Sequence, residues 1–204
     1  MQCAIYRSFT AFYQKSPFLL FDPIGFTAPV TLIPKLLLQI TWSIKLSWDE
    51  PLPNDICSEY FKWVANIECL EQCRLSLYVP MNSSIALHVF CDANQFAYAC
   101  CIFMRTEIED KVQTILITDK VRVAPTEILT LPRLKLMAVV KAVRLYTFLK
   151  SAFEIHDFEC YFWTDSTVVL AWITNEGLWS VLVKNRVRET SYHFNKAMVP
   201  CAWK

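Results

Sequence analysis

Apolar residues in the first third of the chain recur at the three- and four-residue spacing that is typical of helices. One helix is predicted to begin at Thr27 or Ala28 and a second at Asn54 or Asp55, with a proline-rich turn at residues 48–53 between them. Their buried faces are predicted to contain Leu32, Ile33, Leu36, Leu37, Ile40 and Ile44 in the first helix, and Ile56, Tyr60, Trp63, Val64, Ile67 and Leu70 in the second. The tryptophans of this region, Trp42, Trp48 and Trp63, are expected in the core between the helices.

From residue 85 onward the apolar runs are shorter and richer in β-branched and aromatic residues, which is typical of strands. Three runs with short polar connections predict an antiparallel meander, and a fourth run follows an intervening helix. The order β-β-β-α-β-α predicts an α/β fold with a mixed sheet and helices packed on it. The predicted strands are Ile85–Cys91, Ala97–Met104, Val112–Val123 and Phe158–Trp163, and the predicted helices are Leu131–Phe148, a short helix that Asp165 or Ser166 caps and that ends at Ile173, and Val181–Tyr192.

The composition predicts a sizeable apolar core and no strong overall electric field. Hydrophobic residues make up 54% of the 204 residues and charged residues 19%, below the ~25% that is typical of globular domains. The formal net charge is +1, so the overall charge is not expected to attract nucleic acid. Any contact with nucleic acid would therefore have to be local.

The glycines and cysteines exclude several kinds of site. Gly25 and Gly177 are the only glycines of the sequence, which excludes glycine-rich phosphate-binding loops, and Gly25 is predicted to take a left-handed conformation in a turn. None of the nine cysteines forms a C-x-x-C pair, and no histidine lies near Cys69 and Cys73 or near Cys100–Cys101. Reduced, mostly buried cysteines are therefore expected rather than a zinc site.

No segment is predicted to span a membrane. The most apolar stretch, residues 17–44, is interrupted by Asp22, Lys35 and three prolines, and the N-terminus lacks the apolar run of a signal peptide. The chain is therefore expected to be intracellular, in the cytoplasm or the nucleus.

Two aspartates at the ends of predicted strands indicate a metal site. Asp92 follows the first strand of the meander, and Asp165 follows the fourth strand. If these strands are neighbours, both carboxylates lie at one edge of the sheet, where ligand sites of α/β sheets form. Carboxylates gathered there hold Mg²⁺, which activates water for phosphodiester cleavage. The alternative is that both are ordinary turn or helix-capping residues.

Seven sequence blocks, in order and over about residues 17–190, resemble the Pol polyprotein of Bel/Pao-type LTR retrotransposons. This region of Pol is also known as the Pao retrotransposon peptidase, although the sequence contains neither Asp-Thr-Gly nor Asp-Ser-Gly, the motifs of aspartic proteases. The blocks are Phe21–Val30, Leu46–Pro53, His88–Ala93, Arg122–Pro125, Pro132–Leu134, Trp163–Trp172 and Asn185–Val187.

The resemblance implies a ribonuclease-H-like fold that follows a helical segment of a reverse transcriptase. Residues 17–80 would be the thumb- or connection-like segment and residues 81–204 the ribonuclease-H-like domain, truncated at its C-terminal end, while residues 1–16 stay unassigned. Such domains cut the RNA strand of an RNA–DNA hybrid with divalent metal. The resemblance therefore implies Mg²⁺ as the cofactor, and an RNA–DNA hybrid and the rest of the Pol polyprotein as partners.

The sequence departs from the family pattern at two of its four acidic positions. Asp92 and Asp165 match the first and third acidic residues, but Lys135 stands where the second, a glutamate, is expected. The fourth belongs to an Asn-Pro-Ala-Asp block that does not occur before Lys204. Because a protonated lysine has no lone pair, it cannot ligate Mg²⁺. Asp92 and Asp165 are therefore predicted to be vestigial catalytic and metal-binding residues.

Lys135 itself has two interpretations. As an internal counter-ion, it would lie between Asp92 and Asp165 and relieve the repulsion that a metal relieves elsewhere. Alternatively, its stem packs on the helix and its ammonium group reaches water.

Other polar residues are given less weight. Glu127 is expected to be a solvated loop carboxylate rather than a substitute metal ligand, and His88 a structural histidine. Lys141 and Arg144 are expected on a solvated helix surface rather than at a phosphate.

Three functions are compatible with the sequence. The preferred one is a fragment of a Pol polyprotein with a degenerate, inactive ribonuclease-H-like domain. The second is an active metal-dependent nuclease that cuts RNA in RNA–DNA hybrids, with a residue such as Glu127 completing the metal cluster. The third is a nucleic-acid-binding or protein-interaction module retained by a host, which a clustered basic surface would favour.

Overall fold

The structure is a computed structural model, and it describes residues 22–47, 50–74, 78, 84–108, 111–153, 158–191 and 198–200. The chain divides into two compact units. The helical unit comprises Met1–Pro23 and Thr27–Leu77, and the α/β unit comprises Ile24–Phe26 and Tyr78–Lys204. The unassigned residues 1–16 and the predicted truncation at Lys204 lie outside the described residues.

The helical unit contains the two predicted helices. Helix α1 spans Ala28–Ser43, helix α2 spans Asn54–Ile67, and a short 3₁₀ helix continues over Glu68–Gln72. The indole N–H of Trp63 donates a hydrogen bond of 2.8 Å to the carbonyl of Val30 and so joins the two helices. The core of this unit contains Leu37, Leu38, Leu52, Ile56, Tyr60 and Trp63.

The buried face of α1 differs from the prediction. Ile33, Ile40 and Ile44 are 45%, 46% and 50% exposed, and Trp42 is 59% exposed, so these residues were wrongly assigned to the core. The face that is buried instead carries Thr31, Pro34, Leu37, Leu38 and Thr41 beside Ala28. The hydroxyls of Thr31 and Thr41 donate to carbonyls of their own helix, at 3.3 and 2.7 Å, so these polar residues are buried with their hydrogen bonds made. Trp48 lies outside the described residues.

The α/β unit is built on a five-stranded sheet in the order β3-β2-β1-β4-β5. Strands β1, β2 and β3 are antiparallel neighbours, as predicted, and β4 lies parallel to both β1 and β5. The α/β class and the mixed sheet are therefore confirmed, with β5 as an element that was not predicted. The strands are Ser84–Ala93 (β1), Ala97–Ile108 (β2), Lys111–Val123 (β3), Glu159–Thr164 (β4) and Met198–Pro200 (β5), and the helices are Leu131–Ala152 (α3), Thr167–Thr174 (α4) and Val181–Ser191 (α5).

One face of the sheet packs on helix α3. Alternate residues of β1 are buried, because successive side chains of a strand point to opposite faces of the sheet. On α3, the predicted apolar stripe of Leu136, Val140 and Val143 is buried as well. This core also contains Leu87, Val89, Ile102, Met104, Val139, Phe162 and Val169.

A glycine turn lies against the sheet edge within the α/β unit. Gly25 has a φ of +95°, in the left-handed region that the sequence predicted. A Cβ atom there would lie 2.1 Å from Oδ1 of Asp119 and 2.3 Å from its carbonyl oxygen. The neighbouring carbonyl of Ile24 accepts a hydrogen bond of 2.6 Å from the backbone N–H of Asp119, in β3. Only glycine fits this turn without displacing the strand.

None of the helices in the described ranges has both the length and the apolar character needed to cross a membrane.

Candidate functional site

The two predicted carboxylates lie side by side at one edge of the sheet. Strands β1 and β4 are parallel neighbours, and Phe90 is paired with Trp163. Asp92 and Asp165 each follow this pair by two residues, so the register of the sheet brings them to the same level. The Oδ1 atom of Asp92 also accepts a hydrogen bond of 2.7 Å from the backbone N–H of Ala93.

Lys135 extends from the first turns of α3 to both carboxylates. Its Nζ atom lies 2.6 and 2.5 Å from the two oxygens of Asp165, and 3.1 Å from Oδ1 of Asp92. The side chain of Lys135 is 14% exposed, against 69% for Asp92 and 39% for Asp165. The ammonium group therefore lies between the carboxylates instead of reaching water, which is the first of its two interpretations.

Charge compensation keeps this lysine protonated. Burial by itself would lower the pKa of Lys135, but the hydrogen bonds to Asp165 and Asp92 and the charges of both carboxylates outweigh burial and raise the pKa above its ordinary value. The formal charges of the three groups, one positive and two negative, sum to one negative charge. The ammonium group thus supplies, from inside the chain, positive charge that a bound cation would otherwise have to bring.

The side chains at this position do not fit a divalent metal. Mg²⁺ needs oxygen ligands with free lone pairs, whereas the Lys135 ammonium donates into both carboxylates. Within the part of the chain that the structure describes, no group of three or more His, Cys, Asp or Glu side chains is placed to hold a metal ion. Glu127, the proposed substitute ligand, is exposed in the loop before α3 and does not join Asp92 and Asp165 in such a group.

A cavity of about 350 Å³ opens beside the two aspartates, and its walls include Asp119 and three cysteines. Burial raises the pKa of Cys100 to about 12 and that of Cys101 to about 11, and it also raises the pKa of Cys91. Burial therefore favours the protonated thiol at all three positions.

His88 lies on the other face of the sheet from α3. Its ring stacks on Phe90, Tyr161 and Trp163, and its Nδ1 accepts a hydrogen bond of 3.1 Å from the indole N–H of Trp163. Burial, followed by the charge of Arg105, lowers the pKa of His88. A neutral imidazole that accepts a hydrogen bond fits a structural role, as the sequence predicted.

Four cations meet in a second pocket beside α3, and the sequence did not predict this cluster. This pocket, called the basic pocket below, is defined by its four cations, Arg122, Lys141, Arg144 and Arg186. Its walls also include Tyr98, Met137 and Val140. Lys141 and Arg144 were expected on a solvated helix surface. Their spacing of three residues, which puts both on one face of a helix, was the signal that could have grouped them.

Comparison with known proteins identifies a family. Residues 16–166 match the model of the Pao retrotransposon-like RNaseH-like domain, which covers most of the chain. No curated protein matches the sequence.

Several solved structures are similar at low identity. RNase H1 from Halobacterium salinarum NRC-1 shares 13% identity, with 57% of this chain and 85% of that chain covered and a TM-score of 0.37. A foamy viral protease-reverse transcriptase in complex with dsDNA shares 12% identity, with 95% of this chain covered and a TM-score of 0.45. A Ppx/GppA protein of Aquifex aeolicus shares 10% identity over 57% of this chain and 35% of its own, with a TM-score of 0.30. The chain spans only 36% of the foamy viral protein.

Proposed function

Because the chain belongs to the Pao retrotransposon-like RNaseH-like domain family, we propose that it is a non-cleaving ribonuclease-H-like part of a retrotransposon Pol polyprotein. In this proposal Asp92 and Asp165 are remnants of a metal site, and Lys135 holds them together in place of the metal. The α/β unit keeps its fold, and hydrolysis of phosphodiester bonds is lost.

The contact of one ammonium group with both carboxylates supports this proposal most directly. Nζ of Lys135 lies within hydrogen-bond distance of Asp92 and of Asp165. A divalent cation would have to displace an internal cation that is largely buried and already bonded, and the displaced charge would need a new partner. Metal binding is therefore opposed by the protein's own charge, and a metal-activated water is not formed at this position.

The partners and the location belong to the same proposal. We propose the rest of a Pol polyprotein and an RNA–DNA hybrid as partners, with residues 17–80 as a thumb- or connection-like segment and residues 81–204 as the ribonuclease-H-like domain. An intracellular location is supported by the cysteines, since the structure forms no disulfide between cysteines of the described residues.

Restoring the family glutamate tests the proposal. The unmodified chain is expected to bind Mg²⁺ or Mn²⁺ too weakly for calorimetric detection and to leave the RNA of a labelled RNA–DNA hybrid intact. Lys135→Glu replaces the internal cation with a third carboxylate, so measurable Mn²⁺ binding is expected, with a gain in affinity of roughly 100-fold or more.

Lys150→Glu is the matched control, because it makes the same charge change on an exposed position of the same helix. It is expected to leave metal binding unchanged. The proposal fails if the unmodified chain cleaves the hybrid in a metal-dependent reaction that Asp92→Asn abolishes.

A further inference from the structure

The basic pocket brings cations together from three separate elements. Arg122 lies near the end of β3, Lys141 and Arg144 lie on α3, and Arg186 lies on α5. They surround a cavity of about 160 Å³, to which Tyr98 of β2 also contributes. Positions so far apart in the sequence meet here only because the sheet and both helices pack together, so the cluster is a product of the fold.

One carboxylate compensates part of this charge. Glu189 accepts hydrogen bonds of 2.5 and 3.0 Å from Arg144 and lies 3.7 Å from Arg186. Among the described residues, neither Arg122 nor Lys141 forms an ion pair with a carboxylate. Four positive charges against one negative charge leave a net charge of three in a chain whose total is only +1.

The uncompensated charge acts on Lys141 in addition to burial. Burial, together with the charges of Arg122, Arg144 and Lys120, lowers the pKa of Lys141. Crowded like charges destabilise the folded chain, whereas a bound anion would relieve them. The positions of Arg144 and Arg186 are already fixed by Glu189, which limits the side-chain entropy that binding an anion would cost.

We propose that the basic pocket binds a phosphate group of a nucleic-acid backbone. Guanidinium groups match the oxygens of a phosphate through paired N–H donors, and Lys141 adds a mobile point charge. The phenol of Tyr98 supplies a further donor at the pocket wall.

The position of the pocket favours a polymer over a free anion. Tyr98 is paired with Ala93, the residue after Asp92, and with Arg122, so the pocket wall and the aspartates share one edge of the sheet. Lys141 lies six residues after Lys135 on α3, about 9 Å along the helix axis, so only a ligand longer than a single phosphate group could reach both positions. The identity of the occupant rests on the nucleic-acid partner proposed above, whereas the charge of the pocket does not.

Binding to a duplex without divalent metal tests this inference. The full chain is titrated, in the presence of EDTA, with a fluorescent RNA–DNA hybrid and with a DNA duplex of the same sequence, and anisotropy is recorded. The double variant Arg122→Gln/Lys141→Gln is expected to bind both duplexes at least about tenfold more weakly, since it removes two charge-assisted contacts. Lys150→Gln and Lys184→Gln, which neutralise exposed lysines elsewhere on α3 and α5, are the controls and are expected to change affinity less than about twofold.

The melting temperature is a second measurement, and we expect the double variant to raise it while it weakens duplex binding. Because Arg122 and Lys141 repel each other and pair with no carboxylate among the described residues, the double variant is expected to melt at a higher temperature than the unmodified chain at low salt. A merely structural role of these residues would lower the melting temperature instead. A loss of binding in a protein that has become more stable cannot be attributed to unfolding.

Inorganic phosphate separates the two sources of the anion. Unchanged duplex affinity of the double variant would overturn the inference while leaving the proposed partner standing. Absence of duplex binding by the unmodified chain would overturn both. Strong stabilisation by inorganic phosphate that the double variant loses, without any change in duplex affinity, would assign the pocket to a free anion and overturn the nucleic-acid occupant.

Discussion

The side chain at position 135 determines the net charge of the group that it forms with Asp92 and Asp165. A glutamate there would give three formal negative charges beside one another, whereas the lysine gives a net formal charge of one negative. Its amine lies within 3.1 Å of oxygens from both Asp92 and Asp165. In the proposed degenerate site, Lys135 therefore does more than replace a ligand, because its ammonium group occupies the space and supplies the positive charge of the missing cation.

His88 predicts how the stability of the α/β unit responds to pH. Burial and Arg105 lower the pKa of His88 from its ordinary value of 6.5, so the folded chain binds its proton less readily than the unfolded chain. The stability that depends on neutral His88 is therefore present above about pH 6.5 and is lost as the pH falls toward the lowered pKa. We expect chemical denaturation to show a drop in unfolding free energy between about pH 7 and pH 5, with a smaller drop in His88→Phe.

The charge of Arg105 supplies the control for this titration. Arg105→Gln keeps the imidazole but removes the second cause of its shift, so a drop of intermediate size is expected. An identical pH dependence in His88→Phe and the unmodified chain would show that other groups carry it.

At the scale of elements, the turn at Gly25 requires glycine because of its backbone conformation and its close approach to β3. Gly25→Ala places a Cβ atom in a left-handed conformation and 2.1 Å from Oδ1 of Asp119. The backbone conformation alone is expected to cost about 1–3 kcal/mol of unfolding free energy, and the collision adds to it. Urea titration followed by circular dichroism measures the loss.

The other glycine is the natural comparison. A Cβ atom at Gly177 would meet the ring of Trp179 at 2.7 Å, but that ring belongs to a side chain that can shift, and Gly177 has no positive φ. Gly177→Ala is therefore expected to be clearly milder. Equal losses in the two variants would show that the turn at Gly25 is not strained by a side chain.

Most elements could be predicted from periodicity, whereas the site could be predicted only in part. A short apolar run identified β1, and a stripe of apolar residues identified α3, because both elements pack against the same core. In α1 the argument failed, since threonines that bond to their own helix are buried where isoleucines were expected. The pairing of β1 with β4 brought the predicted aspartates together, but the meeting of β3, α3 and α5 at the basic pocket depends on tertiary packing that no local pattern encodes.

At the scale of the whole molecule, the basic pocket holds more positive charge than the net charge of the chain. The net charge is +1, yet the basic pocket alone holds four cations against Glu189. Attraction to a polyanion is therefore expected at a small area and not over a broad surface.

This distribution predicts a shallow salt dependence of duplex binding. Each phosphate that a cation neutralises contributes about −0.9 to the slope of log K against log salt concentration for a B-form duplex. With four cations, we expect a slope no steeper than about −4, measured by anisotropy titrations over a series of KCl concentrations. A slope near −8 would require an extended basic surface and would contradict a localised contact.

The glycine turn also affects which backbone groups of the sheet edge are open to another strand. Strand β3 forms one edge of the sheet, and free N–H and C=O groups along an edge invite pairing with the strands of other molecules. The carbonyl of Ile24 occupies the N–H of Asp119 near the middle of that edge, so an incoming strand would have to displace it. At the opposite edge, β5 covers three of the described residues and includes a proline, which has no backbone N–H to donate to an added strand. Residues 24–26 thus occupy one backbone donor of this edge strand, and we expect a variant that loses the turn to pair with other molecules more readily.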